Sequence, residues 1–186
     1  LYGCAVRYCF EKNSSGSFDY IVSKIKEYVK SYTFDGLSVE QIEKYGSVWK
    51  DINVTLLLSD RITQRFSFKL NYSKESFAFE VSFGEEGENG VKTADVTDRI
   101  QESEDGYYLD VIGFSPARLD LKIQLSALDP TNSSVKDKIL FSPLDYMTMA
   151  YHTAKKEGDE DLVLLMQAMY YYYDSAKKYK TIEGVM

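Results

Sequence analysis

From about residue 51 the chain alternates apolar and polar positions with a period of two. Ile52, Val54, Leu56 and Leu58 form one apolar row. Ile62, Phe66, Phe68, Leu70 and Tyr72 form a second, with Thr63, Arg65, Ser67, Lys69 and Asn71 opposite. Phe77, Phe79, Val81 and Phe83 form a third; Leu119, Leu121, Ile123 and Leu125 form a fourth, facing Arg118, Asp120, Lys122 and Gln124. Residues 107–114 read as a less regular strand and 91–97 as a weak one. Clean alternation means a sheet with one wet face and one covered face. Short connections predict antiparallel neighbours. Two acidic loops, Gly84–Gly90 and Glu102–Gly106, read as solvated hairpin tips.

The flanks follow helical spacing. Phe18, Ile21, Val22, Ile25, Tyr28, Val29 and Tyr32 predict an amphipathic helix from about Ser17 to Tyr32. Ahead of it, Val6, Tyr8 and Phe10 alternate with Arg7 and Glu11 as a strand. A short second helix is expected after it, with Ser38 and Gln41 as a capping box, Leu37 and Ile42 as a staple, and Gly46 as the stop.

Residues 142–182 carry two helix signatures back to back. Ser142 can N-cap, Pro143 takes the first helical position, and Asp145 completes a capping pattern. Lys155 and Lys156 suit the helix C-terminus and Gly158 a left-handed cap. Asp159 then caps a second helix whose last turns carry Lys177, Lys178 and Lys180. Leu162–Tyr173 holds a single polar residue, Gln167, so this helix needs cover on several sides. The expected core stripe is Leu162, Leu165, Met169, Tyr172, Ala176 and Tyr179. The flank bearing Met166, Tyr170 and Tyr173 is then left to meet a partner.

The expected fold is α+β, a single domain over 1–186. A strand and two helices fill 1–46, and an antiparallel sheet of about five to seven strands fills 51–127. The N-terminal helix and the 142–182 hairpin cover that sheet. At 186 residues the chain is long enough for a real core.

Charge narrows the function. A net charge of −7 and a pI near 4.9 argue against nucleic acid, which needs a basic footprint, and against anionic membranes. No stretch approaches the roughly 20 apolar residues of a membrane span. Tyrosine is the compositional outlier, at 16 residues. All five methionines lie at 147 or later, and the numbering starts at Leu1, which reads as a processed product, a domain or part of a chain.

Candidate chemistry is sparse. The sequence holds no GxxxxGK[ST], no GxGxxG opening a helix, no G-x-S-x-G and no HExxH. His152 is the only histidine and falls mid-helix, where it reads as a boundary residue rather than a catalyst. Glu85, Glu86 and Glu88, or Glu102, Glu104 and Asp105, are acidic but lack the EF-hand ligand pattern. No cofactor is implied.

Two features point outward from the cytosol. Leu1-Tyr2-Gly3-Cys4 resembles the bacterial lipobox, with Tyr2 departing from the usual small residue. Cys9 pairs with Cys4 only if the segment loops, since an extended run would set them about 16 Å apart. Four of the five asparagines, Asn13, Asn53, Asn71 and Asn132, stand in N-x-S/T sequons where about one was expected by chance. The expected function is a non-enzymatic protein-interaction or assembly module, extracytoplasmic, acting through the Tyr/Met-rich hairpin on another protein or a second copy. The alternative is an apolar-ligand domain with a pocket between sheet and helices, lined by Phe66, Phe68, Phe77 and Phe79.

Overall fold

A computed structural model describes residues 18–38, 43–44, 46–59, 61–83 and 92–183. The first strand, Cys4, Cys9, the lipobox-like tetrapeptide, Asn13, the 84–90 loop and most of the second expected helix lie outside these residues.

The architecture is α+β, with antiparallel sheets and a C-terminal helical hairpin. The helices are α1 (Phe18–Val29), α2 (Pro143–Glu157) and α3 (Glu160–Glu183). The strands are β1 (Glu43–Lys44), β2 (Trp49–Leu58), β3 (Ile62–Leu70), β4 (Ala78–Phe83), β5 (Lys92–Asp95), β6 (Gln101–Ser103), β7 (Gly106–Ile112), β8 (Ile123–Leu128) and β9 (Val135–Phe141).

The strands divide into two sheets rather than one. The first has the order β2-β3-β7-β6; the second runs β9-β8-β4-β5, with the two-residue β1 against β9. Their apolar rows face each other. Val54, Phe66, Phe68, Leu109 and Val111 from the first sheet share one buried cluster with Phe79, Val81, Ile123, Leu125, Ile139 and Phe141 from the second. Trp49 sits in that seam, with ring centroids 5.0 Å from Phe68 and 6.0 Å from Phe79. Alternation states only that a face needs cover, and here much of that cover is a second sheet.

Three local expectations are corrected. Residues 119–121 are not strand. Pro116–Arg118 makes a 3-10 turn, and Leu119 is fully buried against the hairpin, its carbonyl accepting from the Leu144 N–H at 2.8 Å. Glu43–Lys44, near the end of the expected second helix, pairs as strand with Leu140 and Ile139. Strand β9 went unanticipated because a charged residue interrupts its apolar row. Asp137 is buried, and its Oδ2 accepts from the N–H groups of Val48 at 2.9 Å and Trp49 at 3.4 Å. It pins the entry of β2 to the second sheet. Gly46 is close by, and a Cβ there would stand 2.7 Å from the Asp137 carboxyl carbon.

The hairpin forms as its capping residues dictate. Ser142 accepts from the Asp145 N–H at 3.1 Å, and Asp145 Oδ2 accepts from the Ser142 N–H at 2.6 Å. Lys122 donates to the same carboxylate at 2.8 Å, tying α2 to the segment before β8. Gly158 takes φ +78° as the left-handed cap, and Asp159 Oδ1 accepts from the Leu162 N–H at 3.0 Å. Leu56, Ile62, Phe114 and Leu119 from the sheet end pack with Met147, Tyr151, Met166 and Met169. The hairpin therefore closes one end of the sandwich. Described contacts of α1 run to α3, through Tyr28 against Tyr171 at 5.2 Å and Gln167 Nε2 donating to the Lys30 carbonyl at 3.2 Å.

Candidate functional site

The flank of α3 expected to meet a partner points inward. Met166 and Tyr173 are buried, and Tyr170 is half-buried. Met147 and Tyr151 of α2 share their cluster, as does Phe34 from the loop after α1. Phe34 is fully buried between two rings, with centroids 4.8 Å from Tyr151 and 4.7 Å from Tyr170. Tyr170 in turn stacks on Tyr173 at 6.0 Å and 14°. As placed, these three residues are internal cover, not open surface.

The core-facing side of α3 is accordingly rotated by about one residue, or 100°, from the stripe expected. Of that stripe, Met169 is buried, while Leu165 is 44% and Tyr179 64% exposed. Leu164, Ala168, Tyr172 and Ala176 are half-buried. Helical spacing could not choose between the two sides, since α3 is apolar around most of its circumference. The choice is made by Phe34 and Tyr151, which fit against the Met166 side.

Beside the buried flank a ring of tyrosines remains partly open. Tyr32 lies 6.0 Å from Tyr28, 5.1 Å from Tyr171 and 6.2 Å from Tyr170. Burial, then the hydrogen bond its own hydroxyl donates to the neighbouring Tyr28 hydroxyl, pushes the Tyr32 phenol up to about 12. These rings pack edge to face or tilted against one another.

Further along α3, Lys177 Nζ donates to Asp120 Oδ2 at 2.7 Å and to the Tyr173 hydroxyl at 2.8 Å. Burial raises the Tyr173 phenol, and the Asp120 carboxylate raises the Lys177 ammonium. Both groups therefore stay protonated at neutral pH. The trio fastens α3 to the turn before β8 and presents no base.

The remaining candidates are dispersed. His152 packs its ring 5.4 Å from Tyr151, and its Nε2 is buried without a hydrogen-bond partner. Gln64, which broke the apolar row of β3, is fully buried; its Nε2 donates to the Phe141 carbonyl at 3.4 Å while Oε1 has no partner. Among the described residues no three His, Cys, Asp or Glu side chains are grouped to hold a metal. Phe68, Phe77 and Phe79, named for an apolar pocket, pack on one another at 6.0 to 6.3 Å. No described helix is long and apolar enough to cross a membrane. Asn53, Asn71 and Asn132 are all exposed.

Exposed large apolar side chains mark what is left. Leu57, Leu58 and Ile112 lie at the hairpin end of the first sheet, and Leu165, Tyr179 and Tyr28 on the helical layer. The outward side of α3 was missed as a surface because the same residues score as core on any helical count. The signal that could have found it is the density of aromatics around Tyr32 and Phe34, which predicts a second packing partner for α3. No family model, curated protein or solved structure matches the chain.

Proposed function

We propose that the chain is a non-enzymatic protein-interaction or assembly module that works through the outward side of its C-terminal hairpin. The observation that carries this reading is that, among the described residues, α3 leaves apolar side chains exposed, with Leu165 44% and Tyr179 64% exposed. Exposed aliphatic and aromatic residues on one helix side are the usual anchors of helix-mediated contacts. The inward packing of Met166, Tyr170 and Tyr173 moves the contact from those residues to Leu165, Tyr172 and Tyr179, with α1 as a flanking element. An extracytoplasmic setting fits the sequons, because Asn53, Asn71 and Asn132 are each exposed.

The test places a photo-crosslinking phenylalanine at Tyr172 in the protein expressed in its native source, with Tyr72 as control. Tyr72 is 56% exposed and lies on the sandwich, at the end of β3. Protein adducts at Tyr172 and not at Tyr72 are expected. Equal labelling at both positions, or none at Tyr172, refutes the reading.

A further inference from the structure

We propose that Asn132, at the tip of the β8–β9 hairpin, is a site of N-linked glycosylation. This rests on the extracytoplasmic setting proposed above and names the residue that carries the sugar. Asn132-Ser133-Ser134 is one of the four sequons of the chain, and three of the four, at Asn53, Asn71 and Asn132, fall on described residues. All three asparagines are exposed, so exposure does not choose among them. Their local geometry does.

The donor is a sugar held on a polyisoprenoid lipid through a pyrophosphate. In the transfer the asparagine Nδ2 bonds to the anomeric carbon as the bond from that carbon to the pyrophosphate oxygen breaks. The leaving pyrophosphate keeps the electron pair, and Nδ2 gives up one proton. A good acceptor therefore offers an unengaged amide nitrogen on a surface segment, with the sequon hydroxyl two residues on held near it.

Asn132 meets these needs. Its Oδ1 accepts from the Ser134 N–H at 2.9 Å, an Asx turn that folds the sequon back on itself. Its Nδ2 makes no hydrogen bond to a described residue. The tip is held from within, the Asp129 N–H donating to the Ser134 carbonyl at 2.9 Å and the Ser133 N–H to the Asp129 carbonyl at 2.8 Å. Residues 131–136 are all exposed, so a sugar there displaces no packed side chain. The other two sequons are less suited. Asn53 lies in the middle of β2, paired with Ser67, and extended backbone sets it about 6.6 Å from Thr55. Asn71 already spends its Nδ2, which donates to the Ser47 carbonyl at 2.7 Å.

The site also lies clear of the hairpin. Strands β8 and β9 pair from Ile123 with Phe141 to Leu128 with Val135, and Phe141 leads straight into α2. The tip begins about 20 Å along the sheet from Phe141, at roughly 3.3 Å per residue. A glycan on Asn132 thus stands at the end of the sandwich away from α2, and Leu165 and Tyr179 stay open to a partner.

The experiment uses the full chain purified from its native source. Peptide N-glycosidase in heavy-oxygen water turns a glycan-bearing asparagine into a heavy-oxygen aspartate. The tryptic peptide Ile123–Lys136 holds Asn132 as its one asparagine. Heavy label on that peptide is expected, as is its loss in Ser134→Ala, which removes the sequon hydroxyl but keeps the Asn132 amide and the backbone N–H of the Asx turn. A sugar resistant to the enzyme shows as mass added to the same peptide and supports the proposal equally. Recovery of the native peptide with Asn132 unmodified overturns it, as does label that persists in Ser134→Ala, which marks deamidation. If Asn53 or Asn71 is labelled while Asn132 is not, this site fails and the extracytoplasmic setting stands. If no asparagine is modified and fractionation places the chain in the cytosol, both fail.

Discussion

Replacing Phe34 by alanine tests whether the Met166 flank is interior. Phe34 is 0% exposed and belongs to a loop, not to a helix or strand. Nothing in its local geometry requires a large side chain there. Its role is to fill the space between Tyr151 at 4.8 Å and Tyr170 at 4.7 Å. Truncating a buried Phe costs about 3–5 kcal/mol, covering lost transfer energy and the cavity left behind. Two ring contacts place Phe34→Ala at about 4 kcal/mol. For a urea slope of about 2 kcal/mol/M this lowers the midpoint by about 2 M. The single tryptophan, Trp49, reports the sandwich seam by fluorescence, and far-ultraviolet circular dichroism weights the helices. If hairpin and sandwich unfold together, both probes shift equally. A loss below about 1 kcal/mol, no greater than for Tyr28→Ala at a position 56% exposed, would refute the inward placement. Met166, Tyr170 and Tyr173 would then be surface after all.

Two further substitutions probe the frame around the hairpin. Gly106→Ala should lose about 2 kcal/mol or more in the same urea titration, because Gly106 holds φ +135° and a Cβ would stand 2.6 Å from the Phe68 carbonyl oxygen; an unchanged midpoint would contradict this geometry. Asp120→Asn should lose about 0.5–1 kcal/mol at pH 7, the small size reflecting a half-exposed pair. Burial alone would raise the Asp120 carboxyl, but the Lys177 ammonium and the Tyr173 hydroxyl outweigh it and hold it below its ordinary 3.8. A lowered carboxyl stabilises the fold above about pH 4 and loses that contribution as pH falls through the folded value. The difference between wild type and Asp120→Asn should therefore shrink as the pH falls below about 4, and a difference that grows on acidification would show the sign to be wrong.

The helical hairpin was legible because its ends are written in local chemistry. Ser142, Pro143, Asp145 and Gly158 act within one turn of themselves, so residue type and spacing suffice. Strands β2, β3, β4 and β7 were legible for the same reason, since alternation is a property of one segment. What covers a strand is a property of two segments far apart, and the pairing of two sheets through Phe66, Phe68 and Phe79 has no local signature. Strand β9 shows the point in miniature. Its buried Asp137 reads as a solvated charge until the Val48 and Trp49 N–H groups, about ninety residues away, are seen to converge on it.

Helix α3 raises the same problem in a sharper form, and its resolution bears on function. A helix apolar on every side carries no information in its own period about which side is inside. The side is chosen by Phe34, a single residue outside any regular element, and by Tyr151 on the facing helix. Once those two claim the Met166 side, Leu165 and Tyr179 are left exposed among the described residues, with Tyr172 half-buried between them. An amphipathic helix would have spent its apolar residues on its own core and offered solvent a charged side. This helix instead carries charge mainly toward its ends, Glu160 and Asp161 at the first turn and Lys177, Lys178, Lys180 and Glu183 toward the last, with apolar residues between. The exposed Leu165 and Tyr179 acquire a physical role when a partner covers them, which is the contact that photo-crosslinking at Tyr172 reads.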